Sequence, residues 1–121
     1  MSIHRLARQP GSTIPAELHS PGVRWVFKHS PACPTSLRAL GEVSRYAQRH
    51  DDVPVVLIDV LTQRETSQRV ADTLGIGHAS PQVILLRDGT ALWSASHFAI
   101  SVGAMETALA GREDVAAVHG P

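Results

Sequence analysis

Cysteine is almost absent from this chain. A single one, Cys33, occurs in 121 residues, so no disulfide can close within the chain and a disulfide-stapled scaffold is excluded. Neither sign of charge dominates. Lys and Arg together number 11, as do Asp and Glu, which argues against a nucleic-acid partner held by bulk electrostatics. No apolar run approaches the length of a membrane span. The opening stretch, Met1 to Arg8, lacks the apolar core of a signal peptide. A reducing cytoplasm is therefore the expected location, with neither nucleic acid nor membrane among the expected partners. The histidines His4, His19, His29, His50, His78, His97 and His119 show no metal-ligand spacing on one element, so no metal site is expected. No phosphate-binding glycine loop, Ser-His-Asp elbow or paired-carboxylate pattern stands out.

What is present is enough for one core. The apolar fraction of 43% is that of a globular domain, and a chain of this length needs no metal or disulfide to support it. Val23 to Lys28 (VRWVFK) is β-branched and aromatic and reads as a strand. From Pro34 to about His50 the pattern turns helical, with Leu37, Leu40, Val43 and Ala47 as an apolar stripe facing a core. Val53 to Val60 (VPVVLIDV) is a nearly continuous apolar run, the mark of a strand covered on both faces. A second helix is expected over Arg64–Leu74, ended by Gly75. Gln82–Arg87, Asp88-Gly89 and Ala91–Ser96 form a hairpin pattern. A last helix is expected from Ser101 to about Ala110. Residues 1–22 read as an extension with a short helix starting near Pro15, 23–111 as the domain, and 112–121 as a flexible tail. Trp25 and Trp93 fall within strands and are expected in the core; Phe98 is expected against the sheet edge. The order is β-α-β-α-β-β-α, an α/β fold with a central mixed four-stranded sheet flanked by helices. It is the element order of the thioredoxin and glutaredoxin group.

Cys33 sits where the first strand gives way to the first helix. A residue before proline is pushed out of the α region, which is the extended geometry that an N-cap takes. Pro34 then fits the first helical position, where its missing N–H has no intrahelical partner. Thr35 and Ser36 follow, and their backbone N–H groups are placed to point towards the sulfur. Those donors and the positive end of the helix dipole favour thiolate over thiol. Lys28 and His29 offer positive charge, although strand alternation lets at most one of them face the sulfur. Cys33-x-x-Ser36 has the spacing of a redox dithiol motif with the second sulfur replaced by oxygen. Ser36 cannot close a disulfide, so a mixed disulfide on Cys33 must be resolved by an outside thiol; its hydroxyl is expected to hydrogen-bond the Cys33 sulfur. Further along, Ser80 and Pro81 precede the hairpin, with His78 nearby as a candidate for lining a cleft.

These residues resemble a known family, the monothiol bacilliredoxins. The resemblance rests on Phe27-Lys28-His29-Ser30 with Cys33-Pro34 and Ser36, on His78 to Leu85 (HASPQVIL), on Leu92-Trp93, on Ser96-His97-Phe98 leading to Ile100, and on Asp59-Val60. It spans about residues 23–110. Ala32 and Thr35 depart from the family pattern, which has a more polar and an aliphatic residue there. The resemblance implies a thioredoxin-like fold, of which a cis proline before this strand, facing the cysteine, is a hallmark. By spacing alone Pro81 is an ordinary proline at the first residue of a strand. If it is cis, the backbone of Ser80 can pair with an extended substrate or with the thiol's peptide-like part. The resemblance also implies an enzyme, a monothiol thiol–disulfide oxidoreductase. Cys33 would remove a low-molecular-weight thiol, bacillithiol, from mixed disulfides on proteins, for instance under oxidative stress. The implied partners are S-thiolated proteins and the small thiol or a reductase; bacillithiol is a co-substrate, with no tightly bound cofactor. Two other readings stay open. One is an iron–sulfur-binding monothiol glutaredoxin, although that group carries glycine directly after the cysteine where Pro34 stands here. The other is a redox sensor that keeps the fold with little turnover.

Overall fold

The computed structural model describes residues 3–5 and 16–119. Five strands form one sheet: β1 (Ile3–Arg5), β2 (Val23–His29), β3 (Val55–Asp59), β4 (Gln82–Arg87) and β5 (Thr90–Ser96). Their spatial order is β1-β3-β2-β4-β5. β2 and β3 are parallel, as are β1 and β3, while β4 runs against β2 and β5 against β4. The helices are α1 (Pro34–Arg49), α2 (Arg64–Leu74) and α3 (Val102–His119), with 3-10 turns at Ala16–His19 and His97–Ala99. The mixed four-stranded sheet with its helices is the expected one. The short strand β1 is an addition at its edge, in a stretch whose own pattern carries no strand signal.

Period-two alternation divides the core. Trp25, Phe27, Val55, Leu57, Val83 and Leu85 pack with Val43, Tyr46 and Ala47 of α1 and with Met105 and Leu109 of α3. Val26, Val56, Ile58, Ile84 and Leu86 face the other way, onto Val70 of α2 and Leu18. Both faces are thus covered, which is why β3 reads as an unbroken apolar run. Gly75 caps α2 in the left-handed region, with φ 70°, a conformation that costs glycine no Cβ clash. Asp88 and Gly89 turn the hairpin with φ of 52° and 82°, the two positive values that a tight type I′ turn requires.

Three expectations change. Leu37 does not join the buried stripe and is 52% exposed. The inward face of α1 is carried by Ser36, Ala39, Val43, Tyr46 and Ala47, one position out of step with Leu37. Phe98 does not pack on the sheet edge: it is 73% exposed, with the Arg38 guanidinium 5.5 Å from its ring centroid. The third difference is that α3 runs on to His119, past the expected stop near Ala110. Gly111 costs a helix only about 1 kcal/mol, and the following run of Arg, Glu and Ala restores good propensity. Residues 120 and 121 lie outside the described residues.

One polar contact ties the larger core together. The Trp25 indole N–H donates to the Tyr46 hydroxyl at 2.9 Å, fully buried, and the two rings meet edge to face at 5.5 Å. Tyr46→Phe keeps the ring and strands the indole donor. We expect it to lose roughly 1–2 kcal/mol, the cost of a buried unpaired donor, read as a lower denaturant midpoint at unchanged slope. A fall in midpoint no larger than that of a surface substitution would contradict it.

Candidate active site around Cys33

β2 ends at His29, and the chain turns through Ser30–Ala32 into α1. The turn closes by Cys33 N–H donating to the Ser30 carbonyl at 3.0 Å. Cys33 is extended, with φ −105° and ψ 121°. Its carbonyl accepts the first helical bond, from Leu37 N–H at 3.0 Å. It is therefore the N-cap, with Pro34 behind it at the first helical position. The cysteine is partly exposed, and Pro31, Ala32 and Pro34 around it are exposed, so solvent reaches the loop. The side chain makes no capping hydrogen bond. The expected donation from the Thr35 and Ser36 amides is thus not formed, as suits a thiol sulfur, a weak acceptor.

Ser36 does something other than expected. Its side chain is buried, and its hydroxyl oxygen accepts the Ser30 N–H at 2.9 Å and lies 2.8 Å from His29 Nδ1. It makes no hydrogen bond to the Cys33 sulfur. The reason is local: the turn leaves the Ser30 amide facing inward, and a partly buried backbone donor needs an acceptor. Ser36 at the fourth position of the motif meets that need and locks the cysteine loop onto β2.

Alternation separates the two basic residues. His29 joins Ser36 on the α1 face, whereas Lys28 turns to the α2 face. There its ammonium lies 3.2 Å from His78 Nδ1. His78 Nδ1 is also 3.3 Å from the Ser67 hydroxyl. Lys28 is fully buried, and loss of hydration brings its pKa down to about 8, opposed in part by Asp72. His78 is held below its ordinary value, first by desolvation and then by the Lys28 charge. The register pairs Lys28 with Gln82, so the loop carrying Ser80 and Pro81 sits beside the end of β2. The Ser80–Pro81 bond is cis, as the resemblance implied. The Pro81 carbonyl accepts the His97 N–H at 3.0 Å, pinning this loop to the end of β5. Ser80 Oγ and Gln82 Oε1 are buried without a hydrogen-bond partner. Buried polar atoms are normally paired, and exceptions ask for an explanation such as a ligand. Gln82 escaped the sequence reading, although its pairing with Lys28 follows once the strands are set in register.

The family model of monothiol bacilliredoxin BrxC matches residues 15–105. The chain belongs to the monothiol bacilliredoxin family. Solved structures agree on the fold. A protein described as an oxidoreductase with a thioredoxin fold superposes with a TM-score of 0.78 at 23% identity, covering 89% of this chain and 94% of its own. Desulfothioredoxin from Desulfovibrio vulgaris Hildenborough gives 0.67 at 20% identity, covering 92% and 99%. Mitochondrial thioredoxin 3 from Saccharomyces cerevisiae gives 0.63 at 16%, covering 79% and 84%. This bacilliredoxin-family chain thus has the thioredoxin fold of oxidoreductases, built around one cysteine. No helix among its described residues is long and apolar enough to cross a membrane.

The dithiol spacing can be tested by restoring it. Ser36→Cys puts a second sulfur at the fourth position of the motif. Treated with a small disulfide, the wild type should gain the mass of one thiol. The variant should instead lose two hydrogens and carry no adduct, because its own second thiolate displaces the small thiol. Retention of a full adduct by the variant would contradict the expected geometry.

Proposed function

We propose that this protein removes a low-molecular-weight thiol, bacillithiol, from mixed disulfides on other proteins. The observation that carries the proposal is the position of Cys33: a partly exposed cysteine at the N-cap of α1, with a buried serine where a resolving cysteine would stand. The Cys33 thiolate attacks the small thiol's sulfur in the mixed disulfide. That S–S bond breaks, the client protein leaves as its thiolate, and Cys33 now carries the small thiol. Ser36 offers no second sulfur, so a further molecule of the small thiol attacks the adduct. This frees Cys33 and releases the symmetrical small-molecule disulfide. Thiolate attack and a good thiolate leaving group set the rate of each step.

The positive end of the α1 dipole, at whose N-cap Cys33 sits, supports negative charge on the sulfur as it leaves and returns. Ser80 and Pro81, at the end of β2 where the cysteine loop starts, are the expected seat of the thiol's peptide-like part. The reducing cytoplasm is the compartment in which such exchange has a thiol pool to draw on. The test of the thiol's identity is the intact mass of the protein taken from its own cells under oxidative stress. An adduct on Cys33 with the mass of bacillithiol is expected. An adduct of another thiol's mass would replace bacillithiol in this account and leave the exchange chemistry standing.

A further inference from the structure

Lys28 is the only lysine in the sequence, and it is wholly buried. An ammonium group has three donors and no acceptor, yet its hydrogen-bond partner among the described residues is His78 Nδ1 alone. Because that nitrogen must accept, neutral His78 carries its proton on Nε2. His78 in turn lines a cleft of about 310 Å³, together with Val60, Leu61, Arg64, Ser67 and Gln68. Arg64, exposed at the start of α2, has no ion pair or hydrogen bond among the described residues. Glu65 follows Arg64 in the first turn of α2, exposed and with no ion pair to the Arg64 guanidinium among the described residues, while the other two acids nearby already accept hydrogen bonds. Asp59 Oδ1 accepts the Leu61 and Thr62 amides at 2.9 and 3.3 Å, and Asp72 Oδ1 accepts from Gln68 at 3.2 Å. The cleft is thus lined by the apolar Val60 and Leu61 and by Arg64 and His78, with the buried Lys28 ammonium behind the His78 ring.

We propose that this cleft binds a small carboxylate, its short apolar chain on Val60 and Leu61 and its acid group on Arg64 and His78. A guanidinium and an imidazole N–H are the donors that carboxylates take in charge-assisted bonds. The cleft lies on the α2 face of the sheet, while Ser36 and His29 lie on the α1 face. Both open at the end of the sheet where β2 and β3 finish, since Val60 N–H donates to the His29 carbonyl at 3.0 Å. The acid thus belongs either to the small thiol that reaches Cys33 or to a separate metabolite. Only the first source rests on the exchange reading above.

The probe is sodium butyrate, with neutral butyramide as control, followed by amide chemical shifts of the full chain at constant ionic strength. Butyrate should move Leu61, Arg64, Ser67 and His78 saturably, and butyramide should not. Arg64→Gln, a surface change that leaves the fold intact, should weaken butyrate binding by about tenfold, the usual share of one charge-assisted hydrogen bond. Lys28→Met should weaken it too, by releasing the His78 tautomer. Binding should persist in Cys33→Ser, so failure of exchange and failure of the cleft are separate results. Competitive inhibition of exchange by butyrate would make the thiol the source of the acid, and binding without inhibition would make it a separate metabolite. Absence of saturable shifts, or equal shifts with butyramide, would overturn the proposal.

Discussion

Cys33→Ser is expected to lose the proposed thiol–disulfide exchange and, at the same time, to become more stable. The loss follows from the chain's having no other sulfur nucleophile than Cys33 apart from two thioether methionines, and a serine hydroxyl is not a thiolate at neutral pH. The rate with a mixed-disulfide substrate should fall to that of the uncatalysed reaction. The gain follows from position. Cys33 holds the N-cap with extended backbone but makes no capping hydrogen bond. Serine is among the best N-caps because its oxygen accepts from the second or third helical amide. A gain of about 0.5–1 kcal/mol is expected, at the low end of measured capping effects. Function and stability thus pull against each other at one atom, as expected where a site breaks a local rule. The two readouts, exchange rate and denaturant midpoint, should move in opposite directions. Residual exchange in this variant would point to chemistry elsewhere in the chain.

Lys28→Met should stabilise the protein at neutral pH and flatten its stability above pH 8. The lysine's pKa falls from 10.5 to about 8 on folding, chiefly because burial strips its hydration. Between those values the unfolded chain holds a proton that the folded one has released, so stability rises with pH through that window. Below pH 8 both states are protonated and the fold carries the whole cost of the buried charge. That cost is about 3 kcal/mol. Methionine fills a similar volume without charge. The wild type should therefore gain stability from pH 8 to 10.5 relative to the variant, and the two curves should converge at the upper end. Parallel curves across that window would show that Lys28 is not titrating there.

Much of this was legible beforehand because local pattern and tertiary structure agree. The apolar run at Val55–Ile58 is covered on both faces; Arg64–Leu74 stops at Gly75; Asp88-Gly89 makes the hairpin; Cys33-Pro34 opens a helix. What the sequence did not show depends on distant partners. β1 has three residues and no pattern of its own, and takes its order from the exposed edge of β3. Leu37 fits the spacing of a buried stripe, but α1 turns Ser36 inward instead, because the Ser30 amide and His29 require its oxygen. The contact between Lys28 and His78 spans 50 residues, and no periodicity reports it. Alternation did separate Lys28 from His29. Which of the two takes the α1 face is settled only by the packing of α1 and α2.

The central claim is that one sulfur takes the small thiol from a client protein and holds it until an outside thiol arrives. Mixing the reduced protein with a client carrying a single bacillithiol mixed disulfide, then reading both intact masses after an acid quench, tests it directly. The account predicts that the client loses one bacillithiol while this chain gains one on Cys33, and that added bacillithiol clears the adduct. Release of the thiol from the client with Cys33 unmodified, or accumulation of a disulfide between the two proteins, would contradict it.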